Sequence, residues 1–167
     1  YPMGTELFTK PRRFGRYEHW LGFSYDDRLY ENDIDFLGIP IGDDVRSTPF
    51  TLQYKAEYPW LDTAFNFYGQ WSTNLGNGSN NDGAHYEAAR FDADTYWDHF
   101  RYGASYSYLH NDWGFSANLS GQYANEALIS GEQFGIGGSY SVRGYQERET
   151  SADVGYQIKL ETHTPEW

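Results

Sequence analysis

Six segments of this chain alternate apolar and polar residues with a period of two, the spacing at which successive strand side chains point to opposite faces. Residues 50 to 58 set Phe50, Leu52, Tyr54, Ala56 and Tyr58 against Thr51, Gln53, Lys55 and Glu57. From 61 to 74, Leu61, Phe65, Phe67 and Trp71 oppose Asp62, Asn66, Gln70 and Ser72. Between 100 and 108, Phe100, Tyr102, Ala104 and Tyr106 oppose Arg101, Gly103, Ser105 and Ser107. The run from Trp113 sets Phe115, Ala117, Leu119 and Tyr123 against Ser116, Asn118, Ser120 and Gln122. Near the end, Val154, Tyr156, Ile158 and Leu160 alternate with Asp153, Gly155, Gln157, Lys159 and Glu161. The first segment, 17 to 29, is less regular, because Asp27 falls on the side of Leu21, Phe23, Tyr25 and Leu29. An all-β, antiparallel chain is expected.

Alternation does not say which face is wet. A soluble sandwich turns its apolar face inward, whereas a membrane barrel turns it to lipid and keeps the polar face in the lumen. The connections favour the barrel. Pro59-Trp60 and His110-Asn111-Asp112 read as tight hairpins, while 31 to 49, 75 to 98 and 126 to 150 exceed the usual few residues. Short turns at one end and long loops at the other match bacterial outer-membrane barrels, with the turns periplasmic. Strands of about 9 to 12 residues span a bilayer when tilted. Trp60 and Trp113 fall at the turn ends, and Trp71, Tyr96 and Trp97 near the long loops, where aromatic girdles belong. Residues 84 to 91 read as a short helix, and 4 to 9 as a possible extra strand.

A mean hydropathy of -0.78 would ordinarily indicate a soluble chain. A barrel, however, needs apolar residues only at every second position, so it shows no long apolar run. The 20% aromatic content suits a membrane interface, since Tyr and Trp join an apolar body to a polar tip. A net charge of -12 argues against nucleic acid, and the basic residues cluster only at Lys10, Arg12, Arg13 and Arg16. The absence of cysteine excludes disulfides and thiolate metal sites. His19, His85, His99, His110 and His163 show no metal-ligand spacing, and Asp82, Asp92 and Asp94 lack the EF-hand pattern. With no GxSxG and no catalytic cluster, an enzyme is not expected, nor a metal or cofactor. The chain begins without Met and carries no secretory signal, as expected of a mature, trimmed or internal piece.

Residues 131 to 145 read Gly-Glu-Gln-Phe-Gly-Ile-Gly-Gly-Ser-Tyr-Ser-Val-Arg-Gly-Tyr. Glycines alone would show only a turn-rich loop, and their spacing is neither a P-loop nor a dinucleotide fingerprint. The ordered stretch is more specific. It resembles the loop motif of the two-partner secretion outer-membrane transporters, the haemolysin-activator type, within the superfamily that includes the barrel-assembly insertase. Val142, Arg143, Gly144 and Tyr145 match the superfamily, and Glu132, Gln133 and Phe134 before Gly137 and Gly138 match the secretion branch. The likeness runs back through residues 119 to 123 and on to Asp153, Gly155 and residues 159 to 161, covering about 17 to 162.

The resemblance implies a partial antiparallel transmembrane β-barrel over residues 1 to 167, six to seven strands of a sixteen-stranded barrel, with two POTRA domains upstream and further strands expected. It implies a bacterial outer-membrane pore that exports an unfolded partner exoprotein. Its partners would be that exoprotein, the lipid bilayer and the rest of its own barrel. It also implies that the loop folds back into the lumen and that Arg143 engages an acidic residue on the inner wall, on a later strand. Glu57, Asp62, Asp153 and Glu161 are local candidates. Two other readings stand beside this one: a related insertase, and a soluble carbohydrate-binding β-sandwich.

Overall fold

A computed structural model of the chain describes residues 3–9, 12–31, 35–36, 39–40, 44–138, 141–142 and 144–165. In chain order the elements are β1 (Met3–Phe8), β2 (Arg12–Phe14), β3 (Tyr17–Tyr30), β4 (Asp35–Phe36), β5 (Ile39–Pro40), β6 (Val45–Ser47) and β7 (Pro49–Trp60). There follow β8 (Thr63–Asn74), α1 (Gly83–Ala89), β9 (Asp98–His110), β10 (Trp113–Ala124), β11 (Phe134–Ile136), β12 (Thr150–Ala152) and β13 (Gly155–His163). One antiparallel sheet carries the order β1-β3-β7-β8-β9-β10-β13, with β2 and β6 also paired to β3. The expected strand at 4 to 9 is β1. Among the described residues β1 and β13 are the two edges and do not pair with each other.

The sheet is inside out by the standard of a soluble protein. Leu7, Phe23, Leu52, Trp71, Phe100 and Tyr123 face one another across successive strands. Each is 41 to 55% exposed. The adjacent row, Ser24, Thr51, Ser72 and His99, is paired the same way and is at most 8% exposed. In this half of the sheet, toward the long loops, the polar side is covered and the apolar side is bare, the reverse of a sandwich. Strands β3, β7, β8, β9 and β10 run 12 to 14 residues. At about 3.3 Å per residue these reach roughly 40 Å, enough to cross about 30 Å of hydrocarbon when tilted.

Both predicted hairpin turns shift. Pro59 and Trp60 stay in β7, paired to Ala64 and Thr63, and the turn is Leu61-Asp62, with Leu61 at φ 46°. Proline is tolerated at position 59 because its missing N–H falls beyond the last β3–β7 pair, Glu18 with Glu57. His110 likewise pairs with Trp113. Asn111 and Asp112 alone turn the chain, both at positive φ as a type I′ turn requires. The helix spans Gly83–Ala89 rather than 84 to 91, capped by Asp82, which accepts from the Ala84 and His85 amides at 3.0 and 3.2 Å.

The apolar core lies at the long-loop end. Val45, Tyr86, Ala93, Trp97, Ala124, Leu128 and Ile129 are buried together, with Tyr30 and Ala89 packed on them. Asn74 organises the segment from 75 to 97 from the end of β8. Its Oδ1 accepts from the Thr48 amide at 2.8 Å, and its Nδ2 lies 2.8 to 2.9 Å from Asn81 Oδ1, Tyr86 Oη and the Thr95 carbonyl. Asp27, the misfit in the alternation, sits near this end, 3.5 Å from the Arg46 guanidinium.

Candidate functional site

The connection from β10 to β13 does not project away from the sheet; it folds back onto the polar face. Ala127 bridges Ala93, Leu128 and Ile129 enter the core, and β11 pairs with β12 to form a short hairpin. Gly137 and Gly138 take φ of 126° and 91°, and a Cβ at Gly137 would overlap the Gln146 carbonyl. Glycine is therefore required at that bend. Beyond it, Ser141 donates to Gln157 on β13 at 2.6 Å, which places this part of the loop against the inner face.

Glu132 is the fixed point of this strap. Its side chain is 0% exposed. Oε1 accepts from Arg28 at 3.0 Å, from the Tyr30 hydroxyl at 2.7 Å and from Ser47 at 3.3 Å. Oε2 accepts from the same Arg28 nitrogen at 3.1 Å and faces His99 Nε2 at 3.7 Å and Arg101 Nη2 at 3.8 Å. The Glu132 carbonyl accepts from Arg101 at 2.8 Å and from Gln122 at 3.1 Å. Asp26 shares Arg28 at 2.7 Å. A buried carboxylate is tolerated only when paired and hydrogen-bonded in this way. Burial alone would raise its pKa; His99, Arg28, the Tyr30 hydroxyl and Arg101 overcome that and hold it at about 2.

Asp153 is a second anchor. Arg90, just after α1, clasps it through two bonds of 2.6 and 2.9 Å. The Leu128 amide and Gln133 Nε2 also donate to it, each at 3.0 Å. Desolvation opposes ionisation there, but these donors hold the carboxyl below its usual range. Arg148 donates to the Ser130 and Gln133 carbonyls at 2.8 and 3.0 Å, closing the base of the hairpin.

The sequence motif thus divides. Glu132, Gln133, Phe134, Asp153 and Gly155 come together, with the Phe134 ring 3.0 Å from where a Cβ on Gly155 would lie. Val142 and Tyr145 are exposed, and Gly144 takes φ 93°. Arg143 lies outside the described residues. Of its acidic candidates, Asp153 is held by Arg90, Glu161 lies 3.1 Å from Lys159, Glu57 faces Glu18 across the ladder, and Asp62 sits in the turn at the opposite end of the sheet. Sequence reading missed Arg28, Tyr30, Arg90, His99, Arg101 and Gln122 as parts of the site. The available signal was that Arg28, His99, Arg101 and Gln122 all occupy the polar side of alternating strands.

Comparison with solved structures finds CdiB from Escherichia coli at a TM-score of 0.74 and 18% identity, covering 96% of this chain and 29% of that one. The chain therefore shares that fold while spanning under a third of its length. The comparison with curated proteins gives no match. The family model described as haemolysin secretion/activation protein ShlB/FhaC/HecB matches residues 43–166. That match covers most of the chain, so the exposed apolar face is the lipid side of part of an antiparallel barrel and the polar face its lumen, and the chain belongs to the ShlB/FhaC/HecB haemolysin secretion/activation family.

Proposed function

We propose that this chain is part of an outer-membrane pore that passes an unfolded partner exoprotein to the cell surface, as in two-partner secretion. One observation carries the reading: the polar face of a spanning sheet is lined with hydrogen-bonding residues and crossed by a strap anchored at the buried Glu132. Below the strap a concavity of about 450 Å³ is lined by Lys55, Asn66, Tyr68, Ser105, Gln157 and Lys159 among others. The amide, hydroxyl and ammonium groups of this surface offer hydrogen bonds to extended backbone. The Glu132-Gln133-Phe134 lead favours secretion over the related insertase. Further strands of the same polypeptide complete the ring beyond β1 and β13, because hydrocarbon leaves no water for unpaired strand edges. POTRA domains precede the barrel and receive the substrate.

Arg143 holds the loop tip to the inner wall in this reading. Replacing Arg143 with Ala in the full-length protein should reduce export of the partner while leaving heat-modifiable folded barrel present. Arg143→Lys should not fully rescue export, because an ammonium lacks the planar fork of a guanidinium. Wild-type export from both variants contradicts the proposed role of the loop.

A further inference from the structure

The groups that receive Glu132 all belong to the wall: Arg28 and Tyr30 on β3, Ser47 on β6, and His99 and Arg101 on β9. These strands are tied together by the continuous ladder, so the sheet shapes the socket without help from the strap. The socket also has more to offer than Glu132 uses. His99 is 1% exposed, and neither ring nitrogen has a hydrogen-bond partner among the described residues. Its Nε2 points at Glu132 Oε2 from 3.7 Å, while Trp97 stacks on the ring at 5.0 Å and 11°.

Withdrawal of the strap from the lumen would remove Glu132 and, among the described residues, leave Arg101 and His99 facing no carboxylate and Asp26 alone on Arg28. Emptied, the socket would present two guanidinium groups and the Tyr30 and Ser47 hydroxyls converging on one vacant position, the complement of an anion. The donors select its shape. Two donors, Tyr30 and Ser47, approach one oxygen, His99 and Arg101 face the other, and Arg28 spans both. A planar carboxylate satisfies both sides, whereas a carboxamide would turn its NH₂ group toward a guanidinium.

We propose that this socket is a carboxylate-binding site in its own right, filled at rest by Glu132 and taken over by a carboxylate of the passing polypeptide when the strap withdraws. The identity of the incoming chain rests on the export reading above; the binding of a carboxylate by the wall does not. Exchange of one carboxylate for another would let the strap leave without exposing a bare cationic cluster.

The test uses the full-length protein with Glu132→Ala and sodium propionate, a free carboxylate with a short apolar tail that can enter the space left by the deleted Cγ methylene and carboxyl group. The readout is the temperature at which the folded, heat-modifiable form is lost, with propionamide and sodium chloride at equal concentration as controls. Glu132→Ala should melt below the wild type, and propionate alone should recover a large part of the loss. Glu132→Gln, whose carboxamide still fills the space, should show no propionate-specific recovery. If Glu132→Ala does not assemble in plain buffer, assembly in propionate but not in propionamide becomes the expected result. Equal effects of propionate and propionamide, or none from either, overturn the proposal, and recovery by chloride alone replaces it with an unselective anion site. No exoprotein enters the assay, so a failure here is separable from failure of the export reading.

Discussion

At the scale of single residues, Glu132 sets the pH range over which the strap stays docked. Its carboxyl is lowered from an ordinary 4.5 to about 2. A carboxyl lowered in the folded state contributes stability that is complete above about 4.5 and is lost as pH falls through 2. Hydrogen exchange of the Glu132 and Gln133 amides, corrected for intrinsic rates, should show flat protection from neutral pH to about 5 and a decline toward 2. Loss of protection well above pH 5 would mean that a group other than Glu132 controls docking. Arg28 carries the complementary prediction. Arg28→Ala strands the buried carboxylate and should cost about 3 to 5 kcal/mol in a denaturant titration, the range for breaking a buried pair. Arg28→Lys should recover part of that, since one ammonium cannot span both oxygens and Asp26 together. Little of this was legible in the sequence. Arg28 and Glu132 lie 104 residues apart, and only the strand order brings them into contact, so an ordinary-looking Glu in a glycine-rich loop gave no sign of its burial.

At the scale of elements, the strands are built to be dry on one face and polar on the other, and substitutions should sort by face. Leu119 pairs with Ala104 and Ile158, and Phe65 with Tyr58 and Tyr106, all on the lipid side. Arginine at Leu119 or Phe65 should cost about 2 to 4 kcal/mol where it meets the midplane. The same change at Ser105 or Asn118, on the lumen side, should be mild. Urea titrations of the barrel in lipid would separate the two classes, and equal costs on both faces would contradict the assignment. Glycines on the lipid side are covered by neighbouring rings: Phe100 lies 3.1 Å and Tyr102 Oη 2.5 Å from where a Cβ would stand on Gly69 and Gly121 respectively. Strand faces were legible because a period of two survives in any sheet. Turn positions were less so. Pro59 looks like a breaker, yet its place past the end of the β3 ladder removes the objection, and that follows from register, which composition does not encode.

At the scale of the whole molecule, the barrel wall and the strap act as one unit. The wall supplies Arg28, His99 and Arg101, the strap supplies Glu132, and Arg90 ties the strap through Asp153 to the segment that carries α1. Three tight turns, Gly15-Arg16, Leu61-Asp62 and Asn111-Asp112, lie at the end opposite this cluster. With the turns periplasmic, a cysteine at Ser79 should react with an impermeant thiol reagent on intact cells, and one at Asp62 should not; the opposite pattern would invert the orientation. The central claim is that the apolar face of this sheet meets lipid and the polar face lines a wet lumen. Nitroxide labels at neighbouring positions test it most directly, with full-length protein in bilayers and collision against oxygen or a water-soluble nickel chelate as the readout. Leu52 and Leu119 should favour oxygen, and Lys55 and Asn118 the chelate, the preference inverting between adjacent residues at 118 and 119. Equal collision at both faces, or chelate access at Leu52 and Leu119 with oxygen at Lys55 and Asn118, would contradict it.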